Sequence, residues 1–257
     1  MVTMTHRTNT LLGLLAARAI CDPSIAAAHS TSGKEAIVIS SFALAADPIS
    51  RDLRDDALTV SESLLGLGYN VRRFENPDVD VLQDAIAATD GRDLVLYYAG
   101  AEATLLPEIT DALTRASTAS SVIFLDACRA ELVLNDELVA AWSMPTTLPD
   151  NVFIAASIAP ETPCGVPVGP VSDRLIEGLG VPGLTLDLAF APSDDDSTPV
   201  WTKSALSEPF LFRKPESNMR LTSEDYALLE SLPKDVQAQM IALWTQAGIA
   251  VDLGGTV

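Results

Sequence analysis

Short unbroken apolar runs alternate along this chain with longer stretches in which apolar residues recur every three or four positions. The runs read as strands buried on both faces of a parallel sheet, and the periodic stretches as helices with one buried face. Ala36-Ile37-Val38-Ile39 centres a first strand over 35–41, with Lys34 and Glu35 marking its exposed start. A helix is predicted over 52–67, with Leu53, Ala57, Val60, Leu64 and Leu67 at helical spacing and Gly68 as its stop. A strand over 70–74, a helix over 79–88 and a turn at Asp90-Gly91 lead to an apolar strand over 93–100.

The same alternation continues. Ile109, Leu113 and Ala116 share one face of a helix over 107–116, and Val122-Ile123-Phe124-Leu125 forms the next strand. A helix over 131–142, a strand over 152–157 and a helix over 171–179 follow. Residues 184–190 fit a helix, although Leu184-Thr185-Leu186-Asp187-Leu188 also alternates as a strand does. Strand and helix taking turns argue for one parallel sheet with right-handed crossovers. Beyond residue 216, Ser223-Glu224-Asp225 opens the first of two helical stretches broken at Pro233. Their stripe of Tyr226, Leu229, Met240, Leu243 and Trp244 either packs on the domain or faces a partner protein.

Composition narrows the function classes. A chain of 257 residues that is 48% hydrophobic fills one sizeable core. Its 35 acidic against 16 basic residues give a net charge of −19, which disfavours nucleic acid and anionic membrane surfaces as partners. No run of 18 apolar residues is present, so no membrane span is expected. Residues 1–28 read as a signal peptide: His6 and Arg7, an apolar stretch over 11–20, then Ala26-Ala27-Ala28. Arg18 and Pro23 interrupt that pattern, and an amphipathic arm is the other reading. Cleavage after Ala28 would remove Cys21, place the mature chain in the periplasm or outside the cell, and leave Cys128 and Cys164.

Candidate chemistry centres on Cys128. It follows the strand that ends in Leu125-Asp126-Ala127, and in open α/β sheets the carboxyl ends of central strands are where sites form. The plainer reading is a buried free cysteine acting as a small hydrophobe. Asp194-Asp195-Asp196 reads as a solvated loop, with calcium as the sharper alternative. No phosphate-binding glycine loop or metal-ligand cluster appears, so no cofactor and no metal is expected.

Asp126-Ala127-Cys128-Arg129 resembles the strand-end motif of the caspase and metacaspase clan of cysteine peptidases, in its bacterial type, where the cysteine is the nucleophile. Asp93-Leu94-Val95-Leu96-Tyr97-Tyr98-Ala99-Gly100 resembles the strand that precedes the family's catalytic His-Gly. Asp55-Asp56-Ala57 resembles its N-D-A segment, and Ala155 to Pro160 its A-T-A-P-G cleft loop. Thr198-Pro199-Val200-Trp201 through Leu206, then Pro209 to Phe212, resemble its T-P-x-W-x-x-S-x-L segment and a final aromatic strand. The resemblance implies a three-layer α/β sandwich with a mostly parallel six-stranded sheet and helices on both faces, and a helix at 184–190. It implies a caspase-like domain over 29–215, with 216–257 as a C-terminal helical extension. It further implies that Asp56 and Asp126 line an acidic pocket for a basic substrate residue; for Asp56, stabilisation of the first helical turn is the other reading.

The sequence departs from the family where the base belongs. Ala101-Glu102 stands in place of His-Gly, and the two histidines, His6 and His29, both precede the first strand. A thiol of pKa about 8.5 needs a neighbouring base to become a nucleophile and to protonate the leaving amine. A carboxylate at 102 would raise that pKa instead. The expectation is a catalytically inactive pseudopeptidase that binds a peptide or protein partner. The alternatives are an active endopeptidase using Cys128 with an acidic pocket for Arg or Lys, and a redox-active thiol. A disulfide between Cys128 and Cys164, or two free thiols, both remain open.

Overall fold

The computed structural model describes residues 33–42, 48–89, 91–100, 106–116, 118–127, 148–157, 159, 171–191, 200–216 and 219–251. Its elements follow the predicted alternation: β1 (Lys34–Ser41), α1 (Pro48–Gly66), β2 (Asn70–Glu75), α2 (Val79–Ala87), β3 (Asp93–Gly100), α3 (Leu106–Arg115), β4 (Ser120–Ala127) and β5 (Val152–Ala156). Then come α4 (Val171–Leu179), α5 (Leu186–Ala189), β6 (Trp201–Ser204), α6 (Ser223–Ser231) and α7 (Lys234–Gln246). The predicted helix over 131–142 falls outside the described residues.

The six strands form one sheet in the order β2-β1-β3-β4-β5-β6. All neighbours pair in parallel except β6, which runs antiparallel to β5. The chain therefore starts beside the centre, winds outward to β2, then returns across the sheet. Such crossovers put helices on both faces. Side chains alternate between the two faces with the period of two that strands impose. Ile37, Ile39, Leu96, Ile123 and Ile154 point toward α2 and α3, whereas Val38, Val95, Tyr97, Phe124 and Phe153 point toward α1 and α4. This is the three-layer sandwich with a mostly parallel six-stranded sheet that the family resemblance implies.

Three local readings change. Glu35 is not an exposed strand start but a buried carboxylate, which accepts from Arg92 and from the Asn70 amide at 2.9 Å. A buried charge persists only when paired and hydrogen-bonded, and β2 and the residue just before β3 supply the donors. The final strand falls on Trp201–Ser204 rather than on Pro209 to Phe212, which contributes a single bridge from Leu211 to Thr185. Pro209 has no N–H to give a ladder, and the ring of Phe212 turns inward against Phe124 and Tyr69. Finally, α1 begins at Pro48, so Asp56 lies in its third turn, beyond reach of a first-turn effect.

The two terminal helices pack on the sandwich through a core of their own, in which Leu229, Val236, Met240 and Trp244 meet Val181 and Leu184. Thr222 caps α6 with a reciprocal pair of bonds to Asp225. Trp244 is fully buried, and its indole N–H donates to the carbonyl of Pro182. The predicted apolar stripe thus faces the domain at Leu229, Met240 and Trp244. No helix among the described residues is long and apolar enough to cross a membrane.

Candidate active site at the ends of β3 and β4

The two motif strands are neighbours, and they end together. Gly100 and Ala127 form the last paired rung of β3 and β4. Adjacent strands lie about 4.8 Å apart. The next residues along the chain are Ala101 and Cys128, the positions at which the resemblance places base and nucleophile, so the two strands that lead into them end on one rung. Ala101, Glu102, Cys128, Arg129 and Cys164 themselves lie outside the described residues, as do the three aspartates at 194–196. Gly100 is required where it stands, because a methyl group there would collide with the phenol ring of Tyr98.

Asp126 is fully buried, on the α1 and α4 side of the sheet. One of its carboxylate oxygens accepts from the Tyr97 hydroxyl at 3.3 Å and from the backbone N–H of Ser172 at 3.4 Å. Ser172 is the second residue of α4, so the carboxylate sits at that helix's positive end. The strand end just before Cys128 is thereby tied to the start of α4. Asp56 is half-buried on α1, the other helix covering this face. The structure thus places both predicted pocket carboxylates on the same side of the sheet.

On the other flank of β4, the ladder with β5 ends at the pair Leu125 and Ala156. Ser157 takes it further. Its N–H donates to the carbonyl of Leu125 at 3.0 Å. Its hydroxyl donates to the carbonyl of Ala127 at 2.8 Å, with the Leu125 carbonyl also near at 3.2 Å, and accepts from the N–H of Ala127 at 3.2 Å. In the sequence Ser157 stands out only as part of the loop segment Ala155 to Pro160, and Tyr97 and Ser172 do not stand out as site residues. A hydroxyl directly after an apolar strand was the available signal for the first; nothing local marks the other two.

Among the described residues no group of three or more His, Cys, Asp or Glu side chains could hold a metal ion. A cavity of about 270 Å³ lies at the opposite end of the sheet, where Lys34, Asp93 and Ser120 begin their strands, and it contains none of the predicted site residues. A wider groove of about 670 Å³ runs between the end of α1, α4 and the start of α6.

No protein-family model matches the sequence, and no curated protein matches it. Among solved structures, the chain is similar to caspase-1 from Spodoptera frugiperda, at 16% identity over 72% of this chain and 91% of that one, with a TM-score of 0.46. It is also similar to the structure of pro-sf-caspase-1, at 16% identity over 70% of this chain and 94% of that one, with a TM-score of 0.48.

Proposed function

We propose that this chain is a caspase-like domain that has lost the peptidase base and serves as a binding module for a peptide or protein. The observation that carries the reading is the shared final rung of Gly100 and Ala127. The strands leading into residues 101 and 128 end together, and residue 101, where the resemblance puts the base, is alanine. A methyl group neither withdraws a proton from a thiol nor returns one to a leaving amine. Loss of one member of such a pair costs on the order of a millionfold in turnover, while substrate binding is left in place. No histidine stands among the described residues to replace it. The net charge of −19 favours basic segments as the bound partner.

The second reading is an active endopeptidase. Asp126 and Asp56 on one side of the sheet favour it, since an acidic pocket for Arg or Lys is what that family subgroup needs. Fluorogenic peptides with Arg, Lys or Asp before the scissile bond separate the two, with the Cys128→Ala variant as control. The binding module turns over none of them, with or without calcium. Turnover that disappears in Cys128→Ala overturns it. Under our reading the peptides bind without being cut, so fluorescence anisotropy on labelled Arg and Lys peptides reports saturable binding in both proteins.

A further inference from the structure

We infer that the outer edge of β2 is an interface at which two copies of this chain pair antiparallel, joining their sheets about a two-fold axis at Phe74. β2 ends the sheet, and among the described residues no strand covers its far side. Backbone polar groups of a parallel strand point to alternate sides along the chain. The Asn76 N–H donates to the Ser40 carbonyl of β1 at 2.9 Å, so those of Phe74, Arg72 and Asn70 turn inward as well. Val71, Arg73 and Glu75 therefore hold their N–H and carbonyl groups outward, along an edge with no proline or lysine to blunt it.

The helices beside that edge carry bare apolar residues. α1 buries Leu53, Ala57, Val60 and Leu64 against the sheet. On one flank its Ser63 and Leu67 line the groove shared with Ile176 and Leu179 of α4. Arg54, Leu58 and Leu65 lie on the other flank, from which Arg54 reaches Glu75 of β2 at 3.5 Å. This is the side of the open edge, and here Leu58 and Leu65 are 40% and 56% exposed. The third large apolar side chain exposed among the described residues is Val81 of α2, the helix to which Arg72 bonds from the opposite face.

The occupant follows from the strand's own sequence. When β2 meets a second β2 with Phe74 opposite Phe74, Arg73 stands opposite Glu75 of the second copy, and Glu75 opposite its Arg73. Both are hydrogen-bonded pairs, each exchanging an N–H and a carbonyl in both directions. Opposite charges across such a pair are favourable and like charges are not. An axis at Arg73 would set that cation against itself, and an axis at Arg72 would leave Glu75 past the end of the second strand. The ion pair from Glu75 to Arg54 is solvent-exposed, so it competes little with the new one. A two-fold axis normal to the sheet also sets α1 beside α1, with the two leucine flanks facing each other.

Sedimentation equilibrium of the full chain at about 1 to 100 µM, in about 0.15 M salt to screen the net charge of −19, tests this. The parent is expected to form a dimer that dissociates within that range. Arg73→Glu and Glu75→Arg each put like charges opposite one another in both pairs, and each alone is expected to raise the dissociation constant about tenfold or more. Mixing the two variants in equal amounts restores opposite charges in both pairs, so a heterodimer within about threefold of the parent's affinity is expected. Mixing would not mend a loss that came from misfolding. A monomeric parent, a dimer indifferent to both single variants, or a mixture no tighter than its components overturns the inference. β1 stands between β2 and the strand ends of the candidate site, and this outcome does not depend on whether peptides are bound or cut there.

Discussion

Arg213, in the segment after β6, donates from a single guanidinium nitrogen both to the carboxylate of Asp225 and to the carbonyl of Gly180, the latter at 3.0 Å. Asp225 is 1% exposed and also accepts from the backbone and hydroxyl of Thr222. One cation thus holds α6 against the end of α4. Truncating the half-buried cation of such a pair leaves a buried carboxylate uncompensated. Arg213→Ala is expected to cost about 3 kcal/mol in urea unfolding. A loss below about 1 kcal/mol would show that the cap from Thr222 suffices for the carboxylate by itself.

Gly100 and Gly66 make a matched pair of substitutions. At Gly100 a methyl group meets the ring of the fully buried Tyr98. Gly100→Ala is expected to destabilise by about 1 to 3 kcal/mol. At Gly66 nothing lies within 4 Å of the added carbon. Gly66→Ala, at the end of α1, should therefore be neutral or stabilising by up to about 1 kcal/mol, through the unfolded chain. Thermal melts of the two variants should move in opposite directions.

Asp126→Ala removes the acceptor that the Tyr97 hydroxyl and the Ser172 N–H share, and the loss is expected to cost about 1 to 3 kcal/mol. Asp126→Asn keeps an acceptor and should cost less than the alanine variant. Equal melting points for the two variants would mean that the carboxylate's bonds add nothing to the fold.

Burial first, and then the nearby charge of Asp93, push the Tyr69 hydroxyl well above the ordinary tyrosine range. The folded state therefore favours the neutral phenol. The sign follows. Below pH 10 the group is neutral in both states and contributes no pH dependence. As pH rises past 10, the unfolded chain ionises while the folded one does not, and stability falls. Tyr69→Phe removes that loss, so the stability gap between variant and parent should shift in the variant's favour between pH 9 and about 11. Parallel stability curves over that range would refute the assignment to Tyr69.

Much of this architecture was legible because strands buried on both faces leave so plain a mark. Val95 and Phe124 belong to runs that only a covered sheet tolerates, and Leu53, Ala57, Val60 and Leu64 recur at the spacing of a helix with one buried side. The adjacency of β3 and β4 was implied by motif order, but the rung that joins Gly100 to Ala127 is a matter of register, which no local pattern encodes. Glu35 was misread for a related reason. Its donors, Asn70 and Arg92, come from 35 and 57 residues away, and a carboxylate beside an apolar run looks exposed until its distant partners are known. The aromatic segment at Pro209 to Phe212 resembled a strand because its rings alternate. Phe212 reaches Phe124 and Tyr69, and Phe210 stands edge-on to Phe212, packing of rings rather than pairing of a backbone. The bond from Asp126 to Ser172 spans 46 residues and was likewise out of sight.

Ser157 and Ser172 have one more property in common: they flank residues 158–171. Both are fastened to consecutive residues of a single strand, Ala127 and Asp126. Whatever chain runs between them departs from and returns to nearly the same point on the sheet. Between two fixed posts, doubling the length of a connection costs only about 0.6 kcal/mol. Such a stretch can lengthen, shorten or change its side chains from one descendant to the next while the strands beneath keep their register.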